Sequence, residues 1–249
     1  MSWVGSPVPL SVHLIAGPTG VGKSAMASEL ARSTGAPVVV ADRIQCFAEL
    51  ATTSARAGAD APGVRRVWLC DRSVSEGDYP ATEAVESLVE KITELSLSAP
   101  SVIIEGGSIS LLTLVVRRLP ELPWCMTTQL LTRPPDTAQY LKALTVRAHA
   151  MLHPAAPQRS LLEELAGLWA DPANRWFAAS VNGFEAALEW CAKHSLDPGS
   201  TAIENLPKDL LTELEHMIAV RHAEHGADQE TAFRRALSVH PFAAASRSS

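Results

Sequence analysis

Cysteine is scarce and scattered, with four in 249 residues at positions 46, 70, 125 and 191 and no C-x-x-C spacing. That excludes a disulfide framework and a sulfur-rich zinc site, and sets the expectation of a reducing, cytoplasmic setting. No apolar run approaches the roughly 20 residues of a membrane-spanning helix, and the first residues lack the basic-then-apolar pattern of an export signal; no membrane partner is expected. Positive charge is also short. Lys and Arg total 21 against 27 Asp and Glu, a net charge of −6. A protein that lives on a nucleic-acid backbone presents a basic stripe, because phosphate contacts supply much of that affinity. Basic residues cluster here only in pairs, Arg65-Arg66, Arg117-Arg118 and Arg234-Arg235, each read as a solvated face or strand edge, and no nucleic-acid partner is expected. There is no internal repeat, and low complexity is confined to the Ala/Ser-rich last residues.

Against those absences stands one complete motif. An apolar run, His13-Leu14-Ile15-Ala16, feeds Gly17-Pro18-Thr19-Gly20-Val21-Gly22-Lys23-Ser24, a full G-x-x-x-x-G-K-[ST] phosphate loop, and Ala25–Arg32 reads as the helix leaving it. Gly17, Gly20 and Gly22 let the backbone curl so that several N–H groups converge on one anion at a helix N-terminus. Lys23 supplies a full charge to the phosphate chain, and the Ser24 hydroxyl is a ligand for Mg²⁺, the expected cofactor.

Along the chain, Val38–Ala41 reads as a second strand ending at Asp42, and the stretch to Ala61 as loop or partly ordered. Further strands are expected at 66–70, 101–105 and 128–132, with helices over 81–95 and 108–116. This alternation specifies an α/β fold, a P-loop NTPase-like parallel sheet flanked by helices. Beyond Asp136 the pattern is helical only. Ser160-x-x-Glu163 is a capping box, and 206–225 is a long amphipathic candidate. The expected organisation is a P-loop core over 11–135 and a C-terminal all-helical extension over 136–240, with 1–10 and 242–249 flexible. Asp42, Glu105 and Ser54 converge on the loop in such a sheet. Asp42 has a second reading as a helix cap or a partner for Arg43, and Glu105 as a surface carboxylate.

The blocks Gly17-Pro18-Thr19, Gly22-Lys23-Ser24, Asp42-Arg43-Ile44-Gln45-Cys46, Asp71-Arg72, Ile104 through Leu112 and Met151-Leu152-His153-Pro154 come in an order that resembles the bacterial adenylate isopentenyltransferases of cytokinin biosynthesis. The likeness covers most of residues 12–225 and includes Asn182-Gly183-Phe184 and the His222 helix. It implies transfer of a dimethylallyl group from dimethylallyl diphosphate to N6 of AMP, ADP or ATP, with pyrophosphate released. On that resemblance the loop holds the donor's diphosphate, and Thr19 hydrogen-bonds the oxygen bridging carbon and phosphorus. Asp42 takes the N6 proton, and Ser54, Arg56 and Arg147 meet the nucleotide. The helical part would complete the pocket through Asn182, Ala219 and His222 around the prenyl group. Two positions depart from the family: Asn182 stands where an Asp is usual, and Ala219 where a Tyr is usual, which points to the plain dimethylallyl donor rather than a hydroxylated one. His216, His222 and His225 share one helix that cannot aim all three inward, so no metal cluster is expected there. The competing readings are a tRNA dimethylallyltransferase, which would need an inserted domain and a basic surface, and a small-molecule kinase, whose lid pattern is missing.

Overall fold

The structure, a computed structural model, describes residues 9–56, 61–200 and 206–238. At its centre five parallel strands lie in the order β3-β2-β4-β1-β5: β1 (Leu10–Ala16), β2 (Val38–Val40), β3 (Arg66–Trp68), β4 (Ser101–Gly106) and β5 (Trp124–Leu130). Both faces of a parallel sheet are covered by helices, so its inner strands read as unbroken apolar runs. Alternate residues then choose the face. Ile15, Val38 and Ile103 pack with Ala27 and Ala31 of α1 (Lys23–Thr34). Leu14, Val39 and Ile104 join the opposite core, which holds Leu88 and Ile92 of α2 (Ala81–Ser96) and Leu111 of α3 (Ile109–Arg118). One polar exception, His13, points its Nδ1 at the Thr127 hydroxyl directly across the β1–β5 pair, 2.6 Å away.

The chain continues as α4 (Thr137–Leu152), α5 (Leu161–Trp169), the single turn α6 (Arg175–Ala178), α7 (Phe184–Lys193) and α8 (Lys208–Ser238). The α5 capping box forms as read: the Ser160 hydroxyl accepts from the Glu163 N–H at 3.3 Å, and the Glu163 carboxylate accepts from the Ser160 N–H at 2.6 Å. Leu161, Phe177, Phe184, Trp190, Ile218 and Phe233 belong to the same apolar cluster as the sheet. The helical part therefore shares the core of the α/β part.

Three expectations need correction. The last strand starts at Trp124, four residues before Thr128, because Leu10 to Ala16 of β1 pair with its whole length. Leu10 is thus part of the sheet rather than of a loose lead-in, while residues 1–8 and 242–249 lie outside the described residues. The long C-terminal helix runs past His225 to Ser238, since Gly226 lies inside it, where a side chain would collide with the Tyr140 hydroxyl. The described part of the segment after Asp42, to residue 56, is a loop, as expected, with two short 3₁₀ turns at Ile44–Cys46 and Ala48–Leu50, and residues 57–60 lie outside the described residues. It is held down by Phe47, whose ring meets Phe177 edge-on at 4.7 Å.

Candidate active site

The carboxyl ends of β1, β2 and β4 open onto one cleft, as the topology of such sheets requires. Gly22 is the N-cap of α1 with φ +89°, a left-handed conformation that glycine adopts without strain, and the first turn of α1 carries no acidic residue. The partial positive charge of this helix end is therefore left for an anion. Lys23 bends back over the loop and donates to the Pro18 carbonyl at 2.6 Å. Burial pulls its ammonium down to a pKa of about 8, opposed by the charges of Glu105 and Asp42.

Ser24 donates to Glu105 at 2.7 Å, and the other Glu105 oxygen accepts from Arg66 at 2.7 Å. Arg66 also donates to the Ser24 carbonyl and the Ser28 hydroxyl, each at 3.0 Å. Glu105 is accordingly no surface carboxylate, and Arg66 no solvated strand-edge charge: their side chains are 5% and 3% exposed. Two oxygen donors of a hard-cation site, the Ser24 hydroxyl and the Glu105 carboxylate, thus stand together beside the phosphate loop, and they fit Mg²⁺.

Helices from the C-terminal half grip the loop. The Thr19 N–H donates to the Gln229 side-chain oxygen of α8 at 2.8 Å, and the Gln229 amide donates to the Gly107 carbonyl at 2.7 Å. The Thr19 carbonyl accepts from the Tyr140 hydroxyl of α4 at 2.7 Å. One residue of the loop is thereby held by two helices, and Gln229 also joins it to the β4–α3 turn. Neither contact was legible in advance, since Gln229 lies 210 residues from Thr19.

Two adjoining cavities of about 450 and 390 Å³ share Thr19, Asp42, Ser54, Gly107 and Arg147. Gly20, Gly22, Lys23, Ser24 and Glu105 line the first; Asn182, His222 and His225 line the second. Asp42 accepts the Ile44 N–H at 3.2 Å, so it does cap the turn that follows, yet its carboxyl also lines both cavities. Burial raises its pKa, and Lys23 opposes the rise. Arg147 of α4 has its Nε buried without a hydrogen-bond partner among the described residues; burial lowers its pKa, with Asp42 opposing. His222 is pushed down to about 3, first by burial and then by the Arg147 charge, so its imidazole is neutral. Asn182 Oδ1 and His222 Nδ1 are buried with no hydrogen-bond partner among the described residues.

The Ser54 segment is positioned by Glu164, a buried carboxylate of α5 that accepts the Thr52 N–H at 2.7 Å, the Thr53 N–H at 2.9 Å and the Thr53 hydroxyl at 2.7 Å. Burial raises the Glu164 pKa against those hydrogen bonds. Ala55, the next cavity residue, turns at φ +60°, a strained setting for a residue with a Cβ.

Three expected residues stand elsewhere. Arg56 donates to the Gln45 carbonyl and to Asp71 and stacks over Trp68, which draws it out of the cavity walls. Ala219 is buried with Tyr140 and Leu144 in the α4–α8 contact, where it carries no polar group to either cavity. Gly17 presses against Leu131, whose carbonyl lies 2.7 Å from where a Cβ would stand, and shapes the loop from behind. On α8, His222 is buried and His225 lines the second cavity while His216 faces outward, so the three do not converge.

Residues 10–243 match the model of the isopentenyl transferase family. The chain is 40% identical over 229 residues to an adenylate dimethylallyltransferase of Rhodococcoides fascians, covering 92% of this chain and 89% of that one. It is 36% identical over 230 residues to an adenylate dimethylallyltransferase of Ralstonia solanacearum, covering 91% and 94%. Among solved structures, the full-length tRNA isopentenylpyrophosphate transferase of Bacillus halodurans superposes with a TM-score of 0.68 over 90% of this chain and 86% of that chain, at 14% identity. That likeness establishes the shared P-loop fold.

Proposed function

This chain belongs to the isopentenyl transferase family, and from that premise we propose that it transfers a dimethylallyl group from dimethylallyl diphosphate to N6 of an adenylate, AMP, ADP or ATP, releasing pyrophosphate. The observation that carries the reading is the position of Asp42 in the wall common to the phosphate-loop cavity and the Asn182–His222 cavity. A base placed there serves a nucleophile that meets the donor's first carbon between the two.

The donor's diphosphate lies on the loop amides and Lys23, and its prenyl chain points toward the second cavity. The C1–O bond breaks with the electron pair going to pyrophosphate, whose growing charge Lys23 and the α1 N-terminus stabilise. Thr19 holds the bridging oxygen. Ser24 and Glu105 would hold Mg²⁺, which would supply further charge neutralisation on the diphosphate. The N6 lone pair forms the new N–C1 bond, and the N6 proton passes to the Asp42 carboxylate. Without that acceptor the amine is a poor nucleophile, its lone pair being delocalised into the ring; general-base help contributes roughly 10²–10⁴-fold. Ser54 and Arg147 receive the adenylate, the Arg147 Nε, buried without a partner among the described residues, suiting its phosphate.

Asp42→Asn is expected to bind both substrates and to turn over at least about a hundredfold more slowly. Wild-type kcat in that variant removes Asp42 from the mechanism. A second reading, of the donor alone, is favoured by Asn182 Oδ1 and His222 Nδ1, which have no partner among the described residues: a buried polar pair is better satisfied by a hydroxylated prenyl chain than by a methyl group. Competition between the two donors in one reaction decides it, and a preference for the plain donor defeats this second reading.

A further inference from the structure

At the α4–α8 seam two imidazoles and a carboxylate converge; none of the three lines the two cavities of the site, though His153 borders an adjoining pocket with Ala55 and Arg147. His149 stands in the last turn of α4 and His153, four residues on, is its C-cap, whose N–H donates to the His149 carbonyl at 2.8 Å. Their rings lie 4.6 Å apart between centroids, tilted by 41°. Glu215, from the facing α8, accepts from His149 Nδ1 at 2.7 Å and is 15% exposed, while His149 is 61% exposed. One nitrogen from each ring and one carboxylate oxygen all lie within 4.8 Å of one another.

We propose that His149, His153 and Glu215 bind a first-row transition-metal ion of the zinc type at the α4–α8 seam. A histidine of the last helical turn and the C-cap histidine four residues on bring one nitrogen each to the Glu215 carboxylate, the i, i+4 spacing by which paired histidines reach zinc. Zinc bonds to nitrogen and carboxylate oxygen are about 2.0–2.2 Å, so ligand atoms end up roughly 3.3–3.5 Å apart around a tetrahedral ion. The observed spread needs only side-chain rotation to reach that, and the open face leaves the remaining position to water. Imidazole nitrogen favours zinc, copper or nickel over magnesium, so this site does not compete for the cation of the phosphate loop. The ion would join the helix that carries Arg147 to the one that carries His222, His225 and Gln229.

The test is a zinc titration of the untagged, chelator-stripped full chain against a chromophoric chelator, without substrates. One equivalent is expected to bind in the micromolar range or tighter. His153→Ala and Glu215→Gln should each weaken it by more than about tenfold, the lower end of what even outer-sphere changes cost. Zinc should raise the Tm of the wild type and not of His153→Ala, because a ligand bound only by the folded state stabilises it. Cys125→Ser tests the exposed thiol and should retain binding. Binding no tighter than millimolar means a surface hydrogen bond only and overturns the proposal. So does tight binding that survives in both His153→Ala and Glu215→Gln.

Discussion

Replacing Gln229 by Leu removes the tie between α8 and the phosphate loop, and the one to the β4–α3 turn, while keeping the side chain's bulk. The Thr19 N–H and the Gly107 carbonyl then lose their partners at 2.8 and 2.7 Å. A buried polar group left unpaired costs about 1–3 kcal/mol. Thr19 and Gly107 both line a cavity, so water reaches them from one side and the lower end applies, about 2 kcal/mol for the two together. In a chain of 249 residues, each 1 kcal/mol moves Tm by about 2–4 °C, so a fall of about 4–8 °C is expected by differential scanning fluorimetry. The functional effect is separable. A loosened Thr19 peptide forms the diphosphate cradle less often, so KM for the prenyl donor should rise about tenfold, equivalent to 1.4 kcal/mol, with KM for the adenylate nearly unchanged. Kinetics measured well below the variant's Tm isolate that effect. An unchanged Tm refutes the assignment of these bonds, and a lowered Tm with unchanged donor KM refutes the positioning role of Gln229.

The remaining expectations concern charge and the acceptor loop. Lys23 titrates near 8 and is needed charged, while Asp42 is needed ionised and has its pKa raised by burial. kcat/KM for the donor should therefore rise with pH as Asp42 loses its proton and fall above about pH 8 as Lys23 loses its own. In Lys23→Arg the alkaline limb should disappear whatever the absolute rate; a limb that stays belongs to another group. Glu164→Gln places an amide NH₂ against donors that now face a carboxylate, at a cost of about 1–3 kcal/mol. It should raise KM for the adenylate more than for the prenyl donor, and equal effects on both substrates would contradict the loop-positioning role of Glu164.

The parts of the fold visible in the sequence are those set by neighbours in the chain. Glycine spacing marks the loop, apolar triplets mark β2, and Ser160 with Glu163 marks the start of α5. What stayed hidden depends on partners far apart. Arg66 looks like a solvated charge until β3 and β4 bring it to Glu105, 39 residues away. The strand preceding Pro134 starts earlier than the β-branched run at Thr127-Thr128 suggests, and pairing with Leu10 and Ser11 is what brings Trp124 and Cys125 into it. Gly226 gives the pattern of a helix end, yet it is the close approach of Tyr140 that places a glycine there. In the site, Lys23, Ser24, Asp42 and Ser54 were legible, whereas Gln229, Tyr140 and Glu164 were not, since each acts on the loops through a contact more than a hundred residues distant.

The most direct test of the proposed reaction is product identification. The chain is incubated with Mg²⁺, dimethylallyl diphosphate and AMP, ADP or ATP in turn, and the nucleotide is read by mass spectrometry with pyrophosphate assayed in parallel. A nucleotide heavier by one prenyl group, with one pyrophosphate per adduct and the group on N6, is the expected result. No adduct on any of the three, alongside prenylation of adenine in tRNA or phosphate transfer from ATP, would contradict it.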